Sequence, residues 1–187
     1  MRVKLSDDTY EYIKQQVVDM FQEYEIQCVP ISAFEIATKL KIPVIPYSAL
    51  PADKREASMK ISSDGYSRTN ENGVLWVIYY NDSPTIQYGR KNNTIMHEIG
   101  HYYLGHLGYD EETEEAEAKF FAKYALAPPP LVHQFSPDCP EEIQSHFDVT
   151  YTAACYALSY YKKWLSANTE YLDYETQLIS LFRIVSA

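Results

Sequence analysis

Cysteine is scarce in this chain of 187 residues, and its three cysteines form no metal-binding or disulfide pattern. Cys28, Cys139 and Cys155 are widely separated, and no two of them make a C-x-x-C pair. An odd number of scattered cysteines is typical of reduced thiols in a cytosolic protein. The first ten residues are charged and contain no apolar export segment, so we expect a cytoplasmic location.

Long hydrophobic runs and clusters of positive charge are also absent. No stretch approaches the roughly 18 apolar residues of a membrane-spanning helix, so we expect no membrane insertion. The formal net charge is −10, and an acidic surface is repelled by phosphate backbones, so we expect no direct nucleic-acid binding. With 46% hydrophobic and 22% charged residues, the composition is that of a globular protein that can bury a core.

The spacing of apolar residues predicts a single α+β domain over residues 1–187, mostly helical and with one small antiparallel sheet. We expect helices in residues 1–40 and the sheet in residues 42–81, where Asn72-Gly73 indicates a hairpin. Two helices are expected in residues 83–127, the first opening at Ser83-Pro84. Residues 128–187 should form a C-terminal helical region.

The most informative segment is the complete H-E-x-x-H pattern from His97 to His101. Side chains four residues apart on a helix share a face, with Cβ atoms about 5–6 Å apart, so His97 and His101 can bind one metal ion. Glu98 projects from a neighbouring face and is suited to act on water as a general base. We therefore expect a zincin-like domain with the small sheet beside this helix. The alternative is two ordinary buried histidines, each of which would need a polar partner.

A catalytic zinc site generally has three protein ligands, so a third must be found. His106 is off by one position from the metzincin pattern, and we expect it to cap the end of the motif helix. Among the acidic residues that open the next helix, Glu114 and Glu115 lie on or beside the apolar face, while Glu117 points away. Helical geometry alone leaves Glu114 and Glu115 as alternatives.

Four segments together resemble the ImmA/IrrE family of zinc metallopeptidases, and the resemblance covers about residues 31–130. They are the end of a strand at residues 79–81, the motif at 94–101, the helix at 115–122 and its end at 126–128. The family's helix carries a glutamate three residues before the alanine that precedes a Phe-Ala pair, and here that glutamate is Glu115. The resemblance thus implies zinc bound by His97, His101 and Glu115, with Glu98 as the catalytic residue.

For relatives of this kind, the resemblance implies substrates that are helix-turn-helix repressors of phages and mobile elements. We therefore expect a zinc-dependent endopeptidase that cleaves a repressor protein and so switches genes on. The strand at residues 74–80 could dock an extended substrate by edge pairing. The alternatives are a binding module that sequesters a repressor or toxin without cutting it, and a zinc amidase with a small substrate.

Overall fold

Helices make up most of the structure, a computed structural model that describes residues 3–69, 75–167 and 170–182. The helices are α1 (Asp7–Glu23), α2 (Ala33–Lys39), α3 (Ala52–Ile61), α4 (Tyr88–Tyr103), α5 (Glu111–Leu126), α6 (Pro129–Phe135), α7 (Pro140–Phe147), α8 (Tyr151–Ala167) and α9 (Asp173–Leu181). The strands are β1 (Val44–Pro46), β2 (Gly65–Thr69) and β3 (Trp76–Tyr80). A mostly helical α+β fold with a small sheet is thereby confirmed.

The three strands form one sheet in the order β1-β3-β2. β2 pairs with β3 in antiparallel fashion, from Gly65 opposite Tyr80 to Thr69 opposite Trp76, whereas β1 pairs with β3 in parallel. The sheet is therefore mixed, and the prediction of a purely antiparallel sheet is wrong for β1. Parallel pairing needs a long connection between the two strands. Here α3 and β2 lie between β1 and β3 in sequence, and they bring the chain back so that β3 runs in the same direction as β1.

The central position of β3 changes which strand can receive a substrate. Both edges of β3 are occupied by neighbouring strands, so the prediction that this strand docks a substrate by edge pairing is wrong. Among the described strands, β2 and β1 are at the edges of the sheet, and β2 is the one that contacts α4 along the motif. The Asn72-Gly73 hairpin lies outside the described residues.

Helix α4 begins at Tyr88, after an N-cap at Gln87, and not at Ser83-Pro84 as predicted. Ser83 accepts hydrogen bonds within a separate turn, from the Thr85 amide to its hydroxyl and from the Ile86 amide to its carbonyl. The local turn satisfies the groups that an N-cap would have satisfied, so the helix starts later. The motif at residues 97–101 still lies well inside α4.

Helices α4 and α5 pack closely at the centre of the fold. A Cβ atom on Gly100 would lie 3.2 Å from Phe121 Cδ1 and 3.3 Å from Ala118 Cα, which is tighter than ordinary van der Waals contact. Ile95, Ile99 and Phe121 are fully buried in the core around this contact. The absence of a side chain at position 100 therefore lets the two helix backbones approach each other.

Helices α1 and α8 also contact α5, through the ring pairs Tyr10–Phe120 and Phe120–Tyr160. α1 packs against α5 and α9, and α8 packs against α6 and α7. Phe21 of α1 contacts Phe182 edge to face at 5.4 Å between ring centroids, and both rings are fully buried. None of the helices within the described ranges is both long enough and apolar enough to cross a membrane.

Asn92 connects the motif helix to the start of α2 from a buried position with 1% exposure. Its Oδ1 accepts a hydrogen bond from the Ala33 amide at 2.7 Å, and its Nδ2 donates to the Ile31 carbonyl at 2.8 Å. Both backbone groups belong to the segment that enters α2. Because buried backbone groups need partners, this amide holds α4 in place against the N-terminal helices.

We expect Asn92→Ala to lower the free energy of unfolding by roughly 2–4 kcal/mol, because each buried backbone group left unpaired costs on the order of 1–3 kcal/mol. The half-buried Asn93 is the matched control, since Asn93→Ala makes the same change at the next position of the same helix. The control should cost less than about 1 kcal/mol. Urea unfolding followed by circular dichroism measures both, and equal losses would contradict the assignment.

Candidate metal centre

Helix α4 presents His97 and His101 on one face, above a buried layer formed by Ile95 and Ile99. Their Nε2 atoms lie 3.2 Å apart, and the two ring planes are 89° apart. The 3.6-residue period of the helix produces this alignment, as the spacing predicted. Both side chains are about 15% exposed, so they are partly shielded from solvent yet open to the cleft described below.

Glu115 of α5 completes a cluster of three possible ligands. Its Oε1 lies 3.5 Å from His97 Nε2 and 3.2 Å from His101 Nε2. Ligand atoms held tetrahedrally at bond lengths of about 2.0–2.1 Å are about 3.3–3.4 Å apart, so this triangle fits one small divalent ion. Among the described residues, His97, His101 and Glu115 form a group that could hold a metal ion.

Glu114, the alternative that helical geometry had left open, has a different role. Its carboxylate accepts hydrogen bonds from the Leu107 amide at 3.2 Å and the Gly108 amide at 2.9 Å. It therefore holds the loop between α4 and α5. Asp110 caps α5 by accepting a hydrogen bond from the Thr113 amide, so the helix begins at Glu111, and Glu115 follows one turn later.

The surroundings of the cluster favour the protonation states that metal ligands need. Burial, reinforced by the neighbouring His97 and His106, lowers the pKa of His101 to about 4, so its imidazole is neutral at neutral pH. Hydrogen bonding with His97 and with Lys119 holds the pKa of Glu115 well below its ordinary value. Lys119 Nζ lies 2.8 Å from Glu115 Oε2, the oxygen that faces away from the histidine pair. A neutral imidazole and a carboxylate are both competent ligands.

Glu98 lies beside the cluster and is not part of it. It is 7% exposed, and its Oε2 accepts a hydrogen bond of 2.6 Å from the Ser67 hydroxyl on β2. Burial raises the pKa of Glu98, while the Ser67 hydrogen bond acts in the opposite direction. A carboxylate in this setting is suited to accept a proton and release it again.

Ser67 was not found by sequence reasoning. It lies in a segment with no motif, and nothing in residues 65–69 indicates that this strand crosses the motif helix. The pairing of β2 with β3 positions Ser67 opposite Ile78, from where its side chain reaches Glu98. The contact between Ser67 and Glu98 is visible only in the tertiary structure.

A cleft of about 1260 Å³ contains the cluster. Its walls come from β2, α4, the loop between α4 and α5, and the first turns of α5. His97, Glu98, His101 and Glu115 all line it, together with Tyr66 to Thr69 of the edge strand. The cleft therefore brings a possible metal ion, a carboxylate base and an exposed strand edge into one space.

His106 occupies a position that the sequence did not predict. Its backbone amide closes the end of α4 on the His101 carbonyl, but its ring turns toward the His101 ring and not toward helix carbonyls. The prediction that the side chain caps the helix is therefore wrong. The helix ends at Tyr103, and Gly105, with a φ of +70°, then reverses the chain and folds His106 back.

Comparison with known proteins gives one family and a distant structural similarity. The model of the Peptidase M78 family, described as the IrrE N-terminal-like domain, matches residues 53–159, which is more than half of the chain. A solved structure described as a Mycobacterium tuberculosis transcriptional regulator is 14% identical and has a TM-score of 0.48. That similarity covers 82% of this chain and 47% of the regulator, so the chain spans about half of its length. No curated protein matches this chain.

We expect Glu115→Ala to weaken Zn²⁺ binding by at least about 100-fold, because residues that merely support a ligand already contribute about 10–100-fold. Glu112→Ala is the matched control, since it removes the same side chain from an exposed position on α5. The control should stay within about fivefold of the unchanged chain. Competition with a chromophoric chelator measures both affinities, and equal values for the two variants would exclude Glu115 as a ligand.

Proposed function

Because the chain belongs to the Peptidase M78 family, we propose that it is a zinc-dependent endopeptidase that cleaves a helix-turn-helix repressor protein. The observation that carries the peptidase part is the triangle of His97 Nε2, His101 Nε2 and Glu115 Oε1. Two imidazoles and one carboxylate are the ligand set of catalytic zinc sites in metallopeptidases. Glu98 beside this triangle supplies the acid–base group that such chemistry needs.

The three ligands would hold the ion, and Glu98 would move the proton. Zinc at this site would supply Lewis acidity toward the scissile carbonyl and the attacking water. Because Ser67 holds Glu98 Oε2, we assign proton transfer to Oε1. Glu98 takes a proton from the attacking water as the water oxygen bonds to the carbonyl carbon. It then delivers that proton to the amide nitrogen as the C–N bond breaks.

The position of β2 at the edge of the sheet favours a polypeptide as the substrate. Tyr66 to Thr69 line the cleft, and an extended chain could pair with the outer edge of this strand while crossing the metal site. The volume of the cleft, about 1260 Å³, also exceeds the roughly 300–1,000 Å³ of pockets for small molecules. Both features favour an endopeptidase over an amidase with a small substrate.

A helix-turn-helix repressor as the partner is supported by charge and by the resemblance in the motif segments. The chain carries a net charge of −10, and a DNA-binding protein presents a basic surface. Opposite charge speeds the encounter of two proteins and disfavours partners of like charge. The charge of this chain would thus also keep the enzyme off the DNA to which its substrate binds.

We expect Glu98→Gln to abolish repressor cleavage, with a loss of at least about 10²–10⁴-fold in rate, while Zn²⁺ binding and repressor capture persist. The unchanged chain and the variant are each incubated with a purified helix-turn-helix repressor, and fragments are detected by mass spectrometry. Cleavage at an unchanged rate by the variant would remove Glu98 from the mechanism. Capture without cleavage by the unchanged chain would instead identify a sequestering module.

Ser67→Ala should lower kcat by roughly 10–100-fold with little change in KM, because a hydrogen bond to a charged group contributes about 1.5–3 kcal/mol. Ser67→Thr keeps the hydroxyl and should restore most of the rate. A loss confined to KM would indicate that Ser67 contacts the substrate and does not hold Glu98.

A further inference from the structure

The His101 ring has a polar partner on each of its two nitrogens. Its Nε2 faces the candidate metal position, 3.2 Å from both His97 Nε2 and Glu115 Oε1. Its Nδ1 lies 2.9 Å from Nδ1 of His106. His106 is therefore on the opposite side of the His101 ring from the cluster and does not share its ligand triangle.

A second contact extends this arrangement to α5. His106 Nε2 lies 3.0 Å from Glu117 Oε2, and the His106 side chain is only 7% exposed. Glu117 is 24% exposed and follows the candidate ligand Glu115 by two residues. Helix α5 thus reaches Nε2 of His101 directly through Glu115, and it reaches Nδ1 indirectly, through Glu117 and the intervening His106.

The proton positions in the hydrogen-bonded series His101–His106–Glu117 can be assigned by starting from Glu117. A carboxylate at Glu117 only accepts, so His106 must carry its proton on Nε2 and donate it there. In the neutral imidazole, His106 Nδ1 is then the acceptor, and Nδ1–H of His101 is the donor of the hydrogen bond between the two rings. His101 with its proton on Nδ1 has a free lone pair on Nε2, the nitrogen that faces His97 and Glu115.

We propose that His106 and Glu117 are a positioning pair that fixes His101 in the tautomer and ring orientation required for metal binding. If His106 carried its proton on Nδ1, that N–H would donate to Nδ1 of His101. The proton of His101 would then lie on Nε2, and this nitrogen could not bind a metal. A neutral His106 ring that donates Nε2–H to Glu117 keeps its Nδ1 as an acceptor, which excludes that arrangement. Partners of this kind, behind a ligating histidine, orient the ring and increase its basicity.

The local backbone explains why His106 supports the site without joining it. Gly105 has a φ of +70°, a conformation that other residues adopt at a cost, and it reverses the chain between the end of α4 at Tyr103 and His106. The His106 amide then donates to the His101 carbonyl at 3.0 Å, which folds the His106 side chain back alongside the His101 ring. The one-position offset from the metzincin pattern therefore moves this histidine from the metal to the ring behind it.

We expect His106→Ala and Glu117→Ala each to weaken Zn²⁺ binding by about 10–100-fold in the full chain, measured by chelator competition. His106→Gln offers a carbonyl acceptor to His101 Nδ1–H and should recover part of the affinity. Glu112→Ala, which removes an exposed carboxylate from the same helix, should stay within about fivefold of the unchanged chain. Wild-type affinity in both alanine variants would overturn the pairing.

Histidine side-chain ¹H–¹⁵N spectra of the zinc-loaded, unsubstituted chain give a test that does not depend on the variants folding. They should show His101 protonated on Nδ1 and bound through Nε2, and His106 protonated on Nε2. A proton on Nδ1 of His106, or zinc bound to His106, would overturn the inference. The inference rests on the proposed metal site, so failure of the unsubstituted chain to bind Zn²⁺ would remove both, whereas the other contrary outcomes remove only the pair.

Discussion

The close contact between helices α4 and α5 is the constraint on which the candidate site depends. His97 and His101 belong to α4 and Glu115 belongs to α5, so the three ligand atoms meet only if the helices lie at this separation. Gly100 lies between the two histidines in sequence, and the α5 backbone at Ala118 approaches to 3.3 Å from where a Cβ of residue 100 would be. A metal site tolerates only small errors in ligand position. A larger side chain at position 100 would push the helices apart and open the triangle.

Two neighbouring segments then set the orientation of side chains on α4. Strand β2 brings the Ser67 hydroxyl to Glu98, and the turn at Gly105 brings His106 behind His101. Neither residue belongs to the ligand triangle, yet each forms a hydrogen bond with one atom of a residue in the H-E-x-x-H motif. The sheet and the helix-ending turn therefore reduce the number of orientations that the motif side chains can adopt, which is what a preorganised site requires.

The two carboxylates of the cleft differ because their surroundings differ. Burial raises the pKa of Glu98, which suits a group that accepts and releases a proton. Hydrogen bonding with His97 and Lys119 lowers the pKa of Glu115, which suits a permanent anion. The same residue type thus supports two roles within one cleft, as happens in many enzymes that use paired acids. These surroundings, together with the motif, support the proposed roles of Glu98 as base and Glu115 as ligand.

The sequence by itself determined the features that depend on neighbours along the chain. The alignment of His97 with His101, the separate placement of Glu98 and the mostly helical class all follow from helical periodicity. Helical geometry narrowed the third ligand to Glu114 or Glu115, and only the family resemblance went further. The tertiary structure decided the parallel pairing of β1, the edge position of β2, the contact of Ser67 with Glu98 and the place of His106 behind His101. These contacts join segments through packing or through a turn that reverses the chain, and the pattern of a single sequence records the period of an element but not the neighbour against which it packs.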